Sequence, residues 1–189
     1  MRIVAGKYRG RRLSAPDGTA TRPSSDRTRE SLFNILEAGK LGGGGLSLLP
    51  GARVLDAFAG TGALGLEALS RGAADVTFVE NFTPALNALK RNLANLEAED
   101  RCHLIEGDVL RLARAPAAHG IALLDPPYNQ GLAEPALLRL AEGGWLAEGA
   151  IVAVELMKSE DFTAPAGFAA LDERIYGMAK LIFLHYSAG

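Results

Sequence analysis

The sequence predicts an α/β fold: a seven-stranded mixed sheet with helices on both faces, closed by a C-terminal antiparallel hairpin. Three observations carry this. From Arg53 onward, short apolar runs of strand type alternate with helical segments, as in right-handed βαβ units that build a parallel sheet covered on both sides. The last two strand-like runs are separated only by Gly177-Met178, and a link that short joins antiparallel neighbours. The chain has 189 residues, 48% of them apolar and 22% charged, which suits one globular domain and not a disordered chain.

The elements follow in order. Residues 3–5 and 11–13 are expected to pair as a small basic β-hairpin around Gly6 and Gly10. Such a hairpin buries no core of its own, so it leans on the body or on a partner. Residues 1–15 are therefore an arm and residues 16–189 the body. Pro, Gly, Ser and Thr dominate residues 16–25, which read as loop. A helix follows, capped by Ser24 or Ser25, with Leu32, Phe33, Ile35 and Leu36 on its apolar face. Six glycines among residues 39–51 make a flexible connector. Strands are expected at 53–58, 75–80, 103–108, 121–125, 150–155, 169–176 and 179–186. Helices are expected at 63–71, ending at Gly72, and at 132–142. Between them lies a third, with Thr83 as cap, Pro84 in the first turn and Leu86, Leu89, Leu93 and Leu96 as its inner stripe.

Composition excludes several classes of function. No apolar run approaches the roughly 18 residues that span a bilayer, and the first residues hold no signal-peptide core. A single cysteine, Cys102, excludes an internal disulfide, suits a reducing cytoplasm, and reads as a small buried apolar residue. The three histidines, His103, His119 and His185, have no catalytic or ligand spacing, so no metal is expected. The net charge of −2 looks unfavourable to a nucleic acid until it is divided. Residues 1–29 hold eight basic groups (Arg2, Lys7, Arg9, Arg11, Arg12, Arg22, Arg27, Arg29) against Asp17 and Asp26, a balance of +6 that leaves the rest at −8. A basic head sits on an acidic body.

Doubly wound sheets bind ligands at the carboxyl ends of their strands. Here those ends read Asp56-Ala-Phe58-Ala59-Gly60-Thr61-Gly62, Glu80-Asn81, Asp108, and Asp125-Pro126-Pro127-Tyr128. One acid alone reads equally well as a cap for the next turn. Four at one edge point to a ligand. Gly60-Thr-Gly62-Ala-Leu-Gly65 matches the dinucleotide fingerprint, with Glu80 where an NAD-ribose acid would lie. Asp56 argues against a pyrophosphate there, since like charges 4 Å apart repel by roughly 4 kcal/mol at an effective dielectric near 20. A cationic ligand such as S-adenosylmethionine reverses that sign. Glu80 would then accept from the ribose hydroxyls and Asp108 from the adenine amine.

Asp125-Pro126-Pro127-Tyr128 is the most specific element. Two prolines stiffen the backbone and remove two N–H donors. Acceptors remain, the carboxylate and the prolyl carbonyls, and these suit an NH₂ group. An exocyclic base amine is a weak nucleophile, and two acceptors on its hydrogens orient its lone pair and help remove a proton. Tyr128 offers a ring to stack on an extruded base.

With residues 56–62 and the tetrapeptide, the chain resembles a class I S-adenosylmethionine-dependent amino methyltransferase of Rossmann-like fold. Three further stretches resemble the bacterial 16S ribosomal RNA guanine-N2 methyltransferase family RsmD: Arg22-Pro-Ser-Ser-Asp26-Arg27-Thr-Arg-Glu30-Ser-Leu-Phe-Asn34, then Phe58 to Arg71, then Tyr176-Gly177. The glycine run at 42–45 lies outside the family pattern and reads as a lengthened surface loop. The resemblance implies methyl transfer to N2 of one guanine in 16S rRNA, in an assembled or assembling small subunit, by a cytoplasmic monomer. Asp56, Phe58, Ala59, Gly60, Thr61, Gly62, Glu80, Asn81 and Asp108 would hold the cofactor, and Arg22 and Glu30 would close over it. Asp125, Pro126, Pro127 and Tyr128 would hold the guanine. Arg2, Lys7, Arg9, Arg11, Arg12 and Arg27 would grip RNA. Three alternatives stay open from the residues: another base or glutamine amine as acceptor, an NAD-dependent oxidoreductase, and an RNA-binding module without activity.

Overall fold

The computed structural model describes residues 1–16, 26–41 and 44–188. Helix α1 spans Asp26–Glu37. Then β1 (Arg53–Asp56), α2 (Ala63–Ser70), β2 (Asp75–Glu80), α3 (Thr83–Leu96), β3 (Cys102–Glu106), β4 (His119–Leu124), α4 (Ala133–Glu142), β5 (Leu146–Met157), β6 (Phe168–Tyr176) and β7 (Ala179–Tyr186) follow. Among the described residues the seven strands form one sheet in the order β3-β2-β1-β4-β5-β7-β6. The first five are mutually parallel, and β7 runs antiparallel to both β5 and β6. The order reverses beside β1, whose neighbours are β2 and β4. Ligand sites of doubly wound sheets lie at that crevice.

The sheet has two apolar faces because β1, β2, β4 and β5 are apolar at successive positions. On one face Val54, Phe78, Leu123 and Phe183 pack against Leu32, Phe33 and Leu36 of α1, Leu66 and Leu69 of α2, and Leu89 and Leu93 of α3. On the other, Leu55, Ala122, Val152 and Val154 meet Leu137 and Leu140 of α4, Trp145, and Val109 of a short 3-10 turn. That turn, Val109–Arg111, replaces a full helix between β3 and β4.

Most boundaries match expectation, with physical reasons where they do not. Strand β1 ends at Asp56, not at residue 58, because Ala57 and Phe58 already curve into the loop before α2. Strand β3 ends at Glu106, so Asp108 lies beyond it. Thr83 does not cap α3: Phe82 occupies that position and Thr83 is the first helical residue. Strand β5 begins at Leu146, with a register shift against β4 between His119 and Ile121. Residues 17–25, with the expected caps Ser24 and Ser25, lie outside the described residues, as do residues 42 and 43 of the glycine run. Cys102 is half-buried and not part of the sealed core; burial pushes its thiol up to about 12.

The expected arm hairpin is narrower than two strands. Its one antiparallel bridge pairs Arg2 with Arg12, supported by Ile3 N–H donating to the Arg11 carbonyl (3.0 Å) and Leu13 N–H to that of Met1 (3.0 Å). The arm is nevertheless anchored. Ile3, Tyr8 and Leu13 are buried in the core on the α2 side. Glu67 of α2, fully buried, accepts from Val4 N–H (2.7 Å), Ala5 N–H (3.0 Å) and Arg71 Nε (2.8 Å), with Arg29 Nε at 3.9 Å. Lys7 and Tyr8 N–H groups donate to the carbonyl and hydroxyl of Ser70. A buried carboxylate is tolerated there because two guanidinium groups and two backbone donors surround it.

Candidate active site

The sheet order sets five acidic residues side by side at one edge: Asp108 after β3, Glu80 ending β2, Asp56 ending β1, Asp125 after β4 and Glu155 near the end of β5. Strands lie about 4.8 Å apart, so Glu80 and Asp125 flank the β1 loop on opposite sides, about 10 Å from each other. That loop straddles its neighbours. Ala57 N–H donates to Leu123 on β4 (2.9 Å) and Ala59 N–H to Val79 on β2 (3.0 Å).

The three glycines of the fingerprint have different work. A Cβ on Gly65 would lie 2.3 Å from Phe78 Cε1, and one on Gly62 2.4 Å from Leu89 Cδ1. These two let α2 and α3 pack closely on the sheet. Gly60, at φ +54, has nothing within 4 Å of its Cβ position. Open space therefore begins at Gly60, where cofactor and backbone could meet without a side chain between them. Phe58 is half-buried against the α4-side core, Ala59 is buried, and Thr61 is half-buried.

Asp56, expected to attract a cationic ligand, lies beneath the loop and not on its open side. Its carboxylate is 1% exposed, and its Oδ2 accepts from Gly65 N–H in the first turn of α2 (2.8 Å). Burial pushes its pKa up to about 7; the Gly65 bond opposes this, and the neighbouring Glu80 adds to it. The charge argument against a pyrophosphate is thus weaker at Asp56 than the sequence suggests. Glu80 is tied to the loop as well. Its Oε2 accepts from Gly60 N–H (2.6 Å), and its Oε1 from Asn81 and Phe82 N–H (2.9 and 2.7 Å). One carboxylate thereby fixes the glycine loop and the start of α3, while among the described residues Oε2 accepts a single hydrogen bond. Asp108 caps the 3-10 turn, its Oδ1 accepting from Leu110 N–H (2.9 Å).

On the other side of β1, Asp125 and Tyr128 are half-buried, Pro126 is buried and Pro127 exposed. Asn129 then turns the chain at φ +59. The Tyr128 hydroxyl donates to Glu155 Oε1 at 2.8 Å. Burial, then the adjacent Glu155 carboxylate, pushes the phenol pKa up, so the hydroxyl stays protonated and the ring is held in one orientation. A cavity of about 210 Å³ opens beside Pro126 and Pro127, walled by Leu132, Leu156, Phe162 and Glu160. The sequence reading missed Glu155, although it ends an expected strand as the other acids do.

The remaining expected residues fall into three sets. Arg2, Lys7, Arg9, Arg11, Arg12, Arg27 and Glu30 are all exposed. Three of them already have partners: the Arg11 guanidinium donates to the Asn95 carbonyl, Arg2 lies 3.7 Å from Asp26, and the Lys7 ammonium lies 5.1 Å from the centre of the Tyr8 ring. Arg29, counted in the basic head, is 1% exposed and belongs to the α1–α2 contact. Arg22 lies outside the described residues.

A doubly wound sheet of this order, with a glycine loop after β1 and Asp-Pro-Pro-Tyr after β4, is the architecture of a class I S-adenosylmethionine-dependent methyltransferase. A family model described as "Conserved hypothetical protein 95" matches residues 1–185. Ribosomal RNA small subunit methyltransferase D of Escherichia coli (strain K12) is 38% identical over 178 residues, covering 94% of this chain and 85% of that one. The Haemophilus influenzae protein of the same name is 35% identical over 184 residues, covering 95% and 91%. The solved structure of yhhF from Escherichia coli superposes with a TM-score of 0.85 at 37% identity, covering 100% of this chain and 99% of that one. The chain belongs to this family, the RsmD family of bacterial methyltransferases.

Proposed function

We propose that this chain transfers a methyl group from S-adenosylmethionine to the exocyclic N2 of a guanine in 16S rRNA. The observation that carries the reading is the pairing of the glycine loop with Asp125-Pro126-Pro127-Tyr128 across the adjacent strands β1 and β4. Bound at the loop, S-adenosylmethionine supplies a sulfonium methyl. The open face of Gly60 and the Glu80 carboxylate fit its methionine and ribose parts. Asp56, Phe58, Ala59, Thr61 and Gly62 shape the loop, Asn81 and Asp108 border the adenine side, and Arg22 and Glu30 are assigned to closing over the cofactor.

The Asp125 carboxylate and the Pro126 carbonyl accept the two amine hydrogens. That arrangement turns the nitrogen lone pair toward the methyl and gives the proton lost after transfer an acceptor. The Pro126-Pro127 backbone offers no competing donor. Tyr128 stacks on the guanine, with Glu155 fixing its ring. The arm of residues 1–15 and Arg27 hold RNA phosphates, while the body of residues 16–189 performs the chemistry. The substrate is 16S rRNA within an assembled or assembling small subunit, and the enzyme works as a monomer in the bacterial cytoplasm.

Asp125→Ala tests the assignment. It should lower the methyl-transfer rate about 10²–10⁴-fold, the usual worth of a positioned general base, while S-adenosylmethionine affinity stays within a few-fold. Turnover near that of the unmodified chain would remove Asp125 from the chemistry.

A further inference from the structure

Asn92 of α3 is fully buried, yet its amide has no part in the helix and none in the roles assigned above. Its Oδ1 accepts from Ser14 N–H at 2.7 Å, and its Nδ2 donates to the Ser14 carbonyl at 3.1 Å. The second Nδ2 hydrogen goes to the Thr61 carbonyl at 2.9 Å. One side chain thus grips both backbone groups of Ser14, where the arm ends, and one carbonyl of the glycine loop. Both N–H donors are used, and the side chain itself is sealed from solvent. Leaving any of these groups unpaired there is costly. Each end of the bridge therefore depends on the other's position.

We infer that Asn92 is a positioning residue that joins the RNA-facing arm to the cofactor loop, so that cofactor bound at the loop tightens the arm. The inference rests on the functional reading of loop and arm given above. Thr61 borders Gly60, the open glycine. A ligand that orders this loop shortens the excursions of the Thr61 carbonyl, and Asn92 passes that restraint to Ser14. Among the described residues the arm's other hydrogen-bond anchors, Glu67 and Ser70 on α2, Arg29 on α1, Asn95 on α3 and Arg101, do not touch the loop.

Hydrogen exchange by mass spectrometry on the full chain tests this, with and without saturating S-adenosylhomocysteine, whose binding is verified calorimetrically in the same samples. In the unmodified protein the ligand should slow exchange at Ser14 and its neighbours in the arm at least about fivefold, the lower end of typical site coupling. In Asn92→Asp, which keeps the Ser14 N–H bond but loses both donors, the arm's response should fall below twofold while ligand is still bound. Should that variant not fold, Asn92→Ser, with one short hydroxyl and no added charge, gives the same comparison. An arm that ignores the ligand in the unmodified protein, or responds equally in a folded variant, overturns the inference. Failure of the unmodified protein to bind S-adenosylhomocysteine at all would instead contradict the functional reading.

Discussion

Asp56 shows how burial changes the meaning of a charged residue. Its position is readable from the sequence, at the end of a strand and ahead of a glycine loop. Its environment is not, because sequence does not reveal that Gly65 N–H reaches back to it. With its pKa raised to about 7, the folded chain binds more protons than the unfolded chain between about pH 4 and pH 7. The sign follows: this group's contribution to stability is greatest below that window and declines as pH rises through it. A cationic cofactor favours the ionised form, so its binding releases protons. S-adenosylmethionine affinity measured by calorimetry should therefore rise from about pH 6 to about pH 7.5. Asp56→Asn, which keeps an acceptor for Gly65, should flatten the rise. A pH-independent affinity in the unmodified chain would separate Asp56 from the cofactor. Tyr128 is legible in the sequence as an aromatic ring after the two prolines. Its Glu155 partner is not, because β5 has to pair beside β4 before the two can meet.

At the scale of elements, the apolar stripes are legible. Leu86, Leu89, Leu93 and Leu96 all face the core, as their helical spacing requires. The arm is harder. Its sequence predicts a small basic hairpin that leans on the body or on a partner, while Ile3, Tyr8 and Leu13 are too scattered to signal which face it uses. Their burial and the Glu67 hydrogen bonds set a largely preformed basic surface against α2 and α3. Arg9 and Arg12 are exposed on it, whereas Arg11 is engaged with Asn95. Arg9→Glu with Arg12→Glu should weaken RNA binding and reduce the slope of log affinity against log salt by roughly 0.7–0.9 for each phosphate the arm no longer neutralises. Thermal stability should hardly change, because surface charges away from buried networks shift it by about 0.5 kcal/mol or less. An unchanged salt slope would place the RNA elsewhere.

Across the whole molecule, sheet topology converts a scattered set of acids into an ordered edge. Asp108, Glu80, Asp56 and Asp125 are spread over 70 positions of the chain, from residue 56 to residue 125, and the strand order sets them in line. The alternation of strands and helices is enough to foresee that edge. The net charge of the chain is not, since the +6 of residues 1–29 and the −8 of the remainder nearly cancel. Methyl transfer from tritiated S-adenosylmethionine to small ribosomal subunits that lack the modification, followed by nucleoside analysis of the 16S rRNA, tests this account most directly. The label should appear as N2-methylguanosine, at one site, and only in the presence of this chain. Label on another base, on ribosomal protein, or on neither would contradict it.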